Sequence, residues 1–294
     1  MAEGCVFAYC FVEDRWGRDM ANPLHLEHLK QGSEHWNQWR TAADDSAFDC
    51  SGADLGQVNL TGAHLQAVNL AGAKLVGVTL TGANLQAANL ERADLSGADL
   101  NQANLQTANL NGANLLGADL GGSCLIGAAL AQATLNRATL DRADLSQADL
   151  TGASVIGADL TRVNLQQAKL IEADLKRAEM QRVRACDAIM DGVNLSDARL
   201  MNADLTGAKL LAANLTGARL NRAKLGKSQL NQANLAHATL LGVDLVGADL
   251  TEADLTETNL SGADLTHAVL TGVVLSNTNL EGAAGADSLA SSGE

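Results

Sequence analysis

The feature that most constrains this chain is a leucine that recurs every five residues. The spacing runs from Leu55 to Leu280 without insertion or deletion, and all but four of its 46 positions are Leu. The four exceptions are Val155, Met180, Ala185 and Met190. A small residue, mostly Ala, lies two residues before each position, and Asp or Asn lies between the two at about half of them. Such a strict period dictates the path of the backbone.

A period of five fits neither an α-helix, with 3.6 residues per turn, nor a strand, with alternating faces. It fits a chain that turns a corner every five residues and points one Leu inward on each side. Four sides close a coil of about twenty residues, and each coil stacks on the last at about 4.8 Å. Glycines two residues after many leucines, such as Gly62 and Gly97, further disfavour a helix.

Two stretches carry a resemblance to a known family. Ala93-Asp94-Leu95-Ser96-Gly97 and Ala263-Asp264-Leu265-Thr266-His267 both follow the pattern of the pentapeptide-repeat proteins. The resemblance covers about 230 of the 294 residues. It implies an all-β solenoid, a right-handed quadrilateral β-helix of about eleven coils with a short N-terminal α-helical cap.

The chain divides into four parts. Residues 1–19 form an extension without an assignment, 20–47 a helical cap, 48–284 the β-helix, and 285–294 a tail expected to be disordered. In the cap, Leu26, Leu29, Trp36 and Trp39 make one apolar helical stripe, which Gly32 is expected to split into two short helices. Residues 36–40 are similar to the leader of some pentapeptide-repeat proteins, which implies a lid over the first coil.

Composition narrows the possible cellular locations of the protein. No run of eighteen apolar residues exists, so no transmembrane helix is predicted. The apolar residues 5–12 lack a basic leader and do not resemble a secretion signal. The five cysteines are scattered, with Cys50 in an inward slot and Cys124 and Cys186 in outward ones, which favours reduced thiols and a cytoplasmic location. The resemblance also implies a bacterial source.

Charge is distributed unevenly along the repeats. Residues 136–227 carry 11 acids and 14 bases, whereas residues 228–294 carry 9 acids and no Lys or Arg. Residues twenty apart stack on one face, which predicts a basic column of Arg142, Arg162, Arg182 and Arg222, interrupted by Asn202. Neighbouring Asp141, Asp159 and Glu179 could simply neutralise it; alternatively, the column is a dock for an acidic partner or phosphate groups.

The C-terminal part offers an acidic counterpart. Asp244 and Asp264 are predicted to stack, with Asp249 and Asp254 on neighbouring sides. No aromatic residues interleave with the charges, so direct binding of nucleic acid is not expected. Because no cap sequence follows Leu280, and Val269 and Val274 point outward near that end, two chains are expected to pair through the C-terminal coil.

No catalytic residue, cofactor or metal site is predicted. Each Asp in the repeat has a structural role in bonding the turn backbone, so paired carboxylates follow from the period. His25, His28 and His35 lack a Cys or Glu partner at ligand spacing and are predicted to be surface residues. The prediction is a non-catalytic scaffold that binds another protein through its charged outer faces. The alternative is a DNA-mimicking binder or inhibitor of DNA gyrase or topoisomerase, as known in the family.

One irregularity interrupts the leucine columns. Ala185 replaces a central Leu, and Met180 and Met190 lie on the adjoining sides. Methionine fills irregular gaps, so a locally repaired packing defect is the simpler interpretation. A ligand-binding dent near Arg182, Arg184, Cys186 and Ile189 is the other.

Overall fold

The computed structural model describes residues 21–43 and 47–286 as two short helices followed by one long solenoid. Helix α1 spans Pro23–Lys30 and α2 spans Ser33–Ala42. Parallel bridges then join each outward residue to the one twenty positions later, from Asp49–Asn69 to Asp264–Ala284. This is the predicted all-β solenoid with a small helical cap. The extension 1–19 and, in the predicted tail, residues 287–294 lie outside the described residues.

Every side of a coil repeats the same backbone bonds. The Leu95 N–H donates to the Asn114 carbonyl at 2.7 Å, and the Asn114 N–H returns to the Ala93 carbonyl at 2.9 Å. Within a coil, the Ala98 N–H donates to the Leu95 carbonyl at 3.0 Å and closes the corner. The second residue of each corner is left-handed, with φ +62° at Gly97 and +55° at Arg92. Glycine suits that slot best, but this chain also places Arg, Gln and Glu there.

The core is the stack of inward leucines with their small partners. Leucines from Leu55 to Leu265 in the five-residue series are at most 1% exposed, and the Ala or Val two residues earlier is buried against them at nearly every side. Burial of each Leu contributes about 1.5–3 kcal/mol, less than the cost of ordering five residues, so stability depends on contacts between neighbouring coils.

The Ala185 irregularity changes side chains without breaking the backbone ladder. The Ala185 N–H donates to the Asp204 carbonyl at 2.7 Å, in the same way as its neighbours. Ala185, Met180 and Met190 are all fully buried. The coil therefore keeps its shape where its central side chains differ.

The two helices cover the first coil. Asn22 caps α1 by accepting the Leu24 N–H at 3.0 Å, and Gly32, with φ +96°, precedes α2. Leu29 and Trp36 are fully buried against the coil, while Leu26 and Trp39 are partly buried. The helical stripe and its division at glycine therefore appear as the sequence indicated.

Side chains of α2 bond the exposed backbone edge of the first coil. Trp36 Nε1 donates to the His64 carbonyl at 2.7 Å, and Arg40 Nη2 donates to the Gln66 carbonyl. Asn37 donates through Nδ2 to the Gly62 carbonyl at 3.0 Å and accepts the His64 N–H at 2.7 Å. The bonds to the His64 and Gln66 carbonyls and to the His64 N–H replace those that a preceding coil would make.

The cap histidines are less exposed than predicted. His25 is only 3% exposed, because its ring packs beside Trp39 and Phe48, with centroids 5.7 and 5.4 Å away. Its Nδ1 lies 3.0 Å from the Asp49 N–H nitrogen. His28 and His35 are half-buried and bond each other, Nδ1 to Nε2, at 2.7 Å. The surface prediction was thus wrong for His25, since the cap folds it onto the first coil.

Candidate charged binding surfaces

The four predicted arginines stand in one column. Arg142, Arg162, Arg182 and Arg222 each occupy the second residue of the same corner in different coils, with φ between +58° and +60°, and all are exposed. Asn202 occupies the same slot between Arg182 and Arg222, with φ +58°. The twenty-residue step of the bridges on the adjoining side confirms the stacking, so the guanidinium groups project from one edge at intervals of about 4.8 Å, doubled across Asn202.

Neutralisation of this column by neighbouring acids is incomplete. Arg142 pairs with Asp141 at 3.4 Å, but Glu179 pairs with Arg199 at 3.2 Å instead of with Arg182. Asp159 accepts the Thr161 N–H at 2.9 Å. Among the residues that the structure describes, the side chains of Arg162, Arg182 and Arg222 have no ion pair or hydrogen bond. Three positive charges therefore face solvent without a partner.

A surface groove lies along this column. It has a volume of about 480 Å³ and combines guanidinium groups, carboxylates and amides. Its lining residues are Asp159, Thr161, Arg162, Glu179, Gln181, Arg182, Met201 and Asn202. The groove shares Arg182 with the predicted dent, whereas Arg184, Cys186 and Ile189 are not among its lining residues.

The acidic residues lie where the sequence placed them, and their oxygens also serve the fold. Asp244 and Asp264 form a bridged pair one coil apart, and Asp249 and Asp254 lie on the next two sides. Each accepts a backbone N–H from the residue two positions later, as at Asp249 and Thr251, 3.0 Å. The hydroxyl of Thr251 and then other hydrogen bonds lower the pKa of Asp249. Bonds from Thr256 and Thr266 likewise lower the pKa of Asp254 and Asp264. The carboxylates of Asp249, Asp254 and Asp264 are therefore charged at neutral pH.

A second charged column beside the arginines was missed in the sequence. It contains Arg184, Asp204, Lys224, Asp244 and Asp264, each bridged to the next. Lys224 pairs with Asp204 at 3.9 Å, and Arg184 donates to Gln166 Oε1 at 3.1 Å. The twenty-residue step was a sufficient signal, but it was applied only to the corner arginines and to the last two aspartates.

The described part of the chain has neither a metal-binding cluster nor a membrane-spanning helix. No group of three or more His, Cys, Asp or Glu there is arranged to hold a metal ion. Within the same residues, neither helix is long and apolar enough to cross a membrane.

Comparison with protein-family models places the chain. A model described as pentapeptide repeats matches residues 49–86, 88–127, 123–162 and 248–283, and one described as a pentapeptide repeat region matches residues 158–235. These matches cover more than half of the sequence. The chain therefore belongs to the pentapeptide repeat family. A search of curated proteins returned no match.

Solved structures of the family are also similar. HetL, a pentapeptide repeat protein involved in heterocyst differentiation regulation in the cyanobacterium Nostoc sp., is 34% identical; the match covers 74% of this chain and 89% of HetL, with a TM-score of 0.32. Full-length QnrB1, a plasmid-mediated fluoroquinolone resistance protein, is 16% identical; the match covers 83% and 97%, with a TM-score of 0.34. A pentapeptide repeat protein of the Arabidopsis thaliana thylakoid lumen is 28% identical; the match covers 36% and 63%, with a TM-score of 0.21.

Proposed function

We propose that this chain is a non-catalytic scaffold that binds another protein through its charged outer faces. The observation that supports this most directly is the set of unpaired guanidinium groups of Arg162, Arg182 and Arg222, which stand on one edge of a rigid solenoid. Charged groups held at fixed intervals on a stiff surface attract and orient a partner of opposite charge. The groove beside them adds carboxylates and amides for hydrogen bonding.

Affinity capture from the native cell tests this proposal. The variant Arg142→Glu/Arg162→Glu/Arg182→Glu should lose the captured partner, because the column then repels acidic groups. Arg92→Glu and Arg137→Glu are matched controls: both sites are exposed corner slots with φ +55° and +58° but lie on other corners. Partners that bind the wild type and the triple variant equally would discard the basic column as the contact.

The acidic end favours a second candidate function, a DNA-like surface that binds gyrase or topoisomerase. Its supporting observation is the stacked pair Asp244 and Asp264 within a stretch, residues 228–294, that has no Lys or Arg. A supercoiling assay with purified gyrase separates the candidates. Inhibition that disappears in Asp244→Asn/Asp264→Asn would support it, and full supercoiling at micromolar protein would exclude it.

The proposal also includes a cytoplasmic location and a contact between two chains at the C-terminal coil. Free Cys50, Cys124 and Cys186 support work in the reducing cytoplasm. In the last coil, the N–H groups of Leu270, Leu275 and Leu280 have no acceptor among the described residues, which supports pairing of two chains through this edge. Cell fractionation tests the cytoplasmic location. Crosslinking at a cysteine introduced at Val274, which is 46% exposed, tests the second.

A further inference from the structure

Two neighbouring columns of residues carry the charges on one side of the solenoid. The corner column consists of Arg142, Arg162, Arg182, Asn202, Arg222, Gly242 and Gly262. The side column consists of Asp144, Asn164, Arg184, Asp204, Lys224, Asp244 and Asp264. Within each coil the two columns are two residues apart in the chain, so they lie side by side on the surface. A partner that contacts one contacts the other.

The charges in these columns reverse about the coil that contains residues 202–224. In the side column, Arg184 lies one coil before Asp204, and Asp244 lies one coil after Lys224. If a second copy of this column runs in the opposite direction about that coil, Arg184 lies opposite Asp244, and Asp204 lies opposite Lys224. Both pairs join opposite charges. In the corner column, the same reversal exchanges Arg182 with Gly242 and Arg162 with Gly262. The surface is thus complementary to its own reversed copy.

We propose that a second copy of this chain binds this side, antiparallel and side by side, with the twofold axis at the coil of residues 202–224. The inference rests on the proposed function, because it takes the charged columns to be a protein-binding surface and identifies the protein. In this register Arg184 faces the partner copy's acidic position 244, and Asp204 faces its basic position 224. The isologous contact repeats every pair twice.

Glycine makes room for the partner's arginines. A Cβ atom built on Gly242 or on Gly262 would have no atom within 4 Å, so this corner is open to solvent. In the antiparallel register Arg182 and Arg162 of the other copy arrive over these glycines. Asp244 and Asp264 lie two residues further along, within the reach of a guanidinium group. Of the three arginines that lack a partner within one chain, Arg162 and Arg182 thereby gain one, whereas Arg222 lies near the axis.

Other registers bring like charges together. If the partner slides by one coil towards its C-terminal end, Asp204 faces itself and Arg184 faces Lys224. If it slides one coil the other way, Arg222 faces itself and Asp204 faces Asp244. Shifts of two coils set Asp144 against Asp244, or Asp204 against Asp264. Like charges about 5 Å apart repel, so the charge pattern selects one alignment.

Sedimentation equilibrium tests the dimer. We expect the wild type to form the lateral dimer at about 0.05 M salt and to lose this contact at about 1 M, because these exposed pairs are screened. The arginine-reversed variant, Arg162→Glu/Arg182→Glu/Arg184→Glu, and the aspartate-reversed variant, Asp244→Lys/Asp264→Lys, should each fail to form the lateral dimer at low salt. Both use residue types that the same slots already hold, with Glu172 and Glu252 at corners and Lys209 and Lys224 on sides.

Mixing the two variants gives the decisive result. Each is self-repulsive, but the introduced Glu of one faces the introduced Lys of the other, so an equimolar mixture should form a heterodimer of wild-type affinity, within about tenfold. Arg92→Glu/Arg137→Glu, changed on other corners, should dimerise as the wild type does. A monomeric wild type at low salt, or a mixture that stays monomeric, overturns the proposal.

Solution scattering separates this dimer from end-to-end pairing. The coils of two antiparallel, overlapping rods would span about 80 Å, whereas pairing through the C-terminal coils would span about 115 Å. A long dimer that is insensitive to salt and to both reversed variants would overturn the lateral contact. Loss of a different captured protein in the arginine variant, without any dimer, would leave the scaffold function standing and remove only this inference.

Discussion

The two ends of the solenoid differ in how they finish the same repeating structure. At the N-terminal end, Trp36 and Arg40 bond carbonyl groups, and Asn37 bonds the His64 N–H, that would otherwise pair with an earlier coil. At the C-terminal end, Leu270, Leu275 and Leu280 are only partly buried, and their N–H groups have no acceptor within the described residues. A coil is stable only through its neighbours, so an end must be covered or remain weak. Within the described residues, the helical cap covers one end, and no element covers the other.

The charges are also distributed unevenly between the capped end and the C-terminal end. The third of the solenoid near the cap is weakly charged, with 5 acids and 2 bases in residues 51–135, whereas bases outnumber acids in the middle and acids dominate the far end. The proposed binding surfaces therefore lie away from the capped end. The comparison teaches that one repeat can carry surfaces of different charge, and ends that are finished differently, when only its outward residues and its terminal contacts change.

The largest effect is expected from removing the main anchor of the cap. Trp36→Ala deletes a fully buried ring and its bond to the His64 carbonyl, and should lower the free energy of unfolding of the capped end by about 3–5 kcal/mol. Hydrogen exchange of the first coils measures this. Leu24→Ala, at a position 52% exposed, is the control. Unchanged protection in Trp36→Ala would mean that the two ends are equally weak.

Next comes a pair of substitutions in one leucine column. Leu255 is 1% exposed, and Leu275, one coil later, is partly buried. Leu255→Ala should cost about 2–5 kcal/mol, and Leu275→Ala less than about 2 kcal/mol, because the bare coil buries less of its leucine. Urea unfolding of both variants gives the comparison. Equal losses would show that something covers the last coil in solution.

The thiol of Cys50 reports opening of the capped end. Burial, and then the nearby charge of Asp49, raise the pKa of Cys50 to about 12. The contribution of this group to stability is therefore present below the ordinary thiol pKa and is lost as pH rises towards 12. At pH 8 we expect Cys50 to react with a thiol reagent far more slowly than half-buried Cys124, as followed by peptide mass spectrometry. Trp36→Ala should accelerate labelling of Cys50 alone, and equal rates in the wild type would contradict a sealed end.

The smallest effect is expected on the stability of the fold at low pH. The pKa of Asp249 and of Asp254 is lowered, first by the hydroxyls of Thr251 and Thr256. Their contribution to stability is present above the ordinary Asp pKa and is lost as pH falls through the lowered value. Because both carboxylates are mostly solvated, we expect at most a few tenths of a kcal/mol. Asp249→Asn/Asp254→Asn keeps the acceptors and should flatten the acid limb of thermal stability. A variant as acid-sensitive as the wild type would assign that limb to other groups.

Much of this molecule was predictable because its sequence repeats. The five-residue leucine period implied inward columns, corners and stacked coils, and the twenty-residue step placed Arg142, Arg162 and Arg182 over one another. The helical stripe through Leu29 and Trp36 indicated a cap. These features depend on local geometry and on strict periodicity, which a linear sequence displays directly.

Only the tertiary structure decided which groups find partners. The period could not reveal that Glu179 pairs with Arg199, that His25 of the cap is buried against the first coil, or that Arg40 bonds the edge of that coil. Each depends on side-chain direction and on contacts between residues far apart in the chain. The repeat thus determined the scaffold, whereas the unpaired charges and the covered end are set by packing in three dimensions.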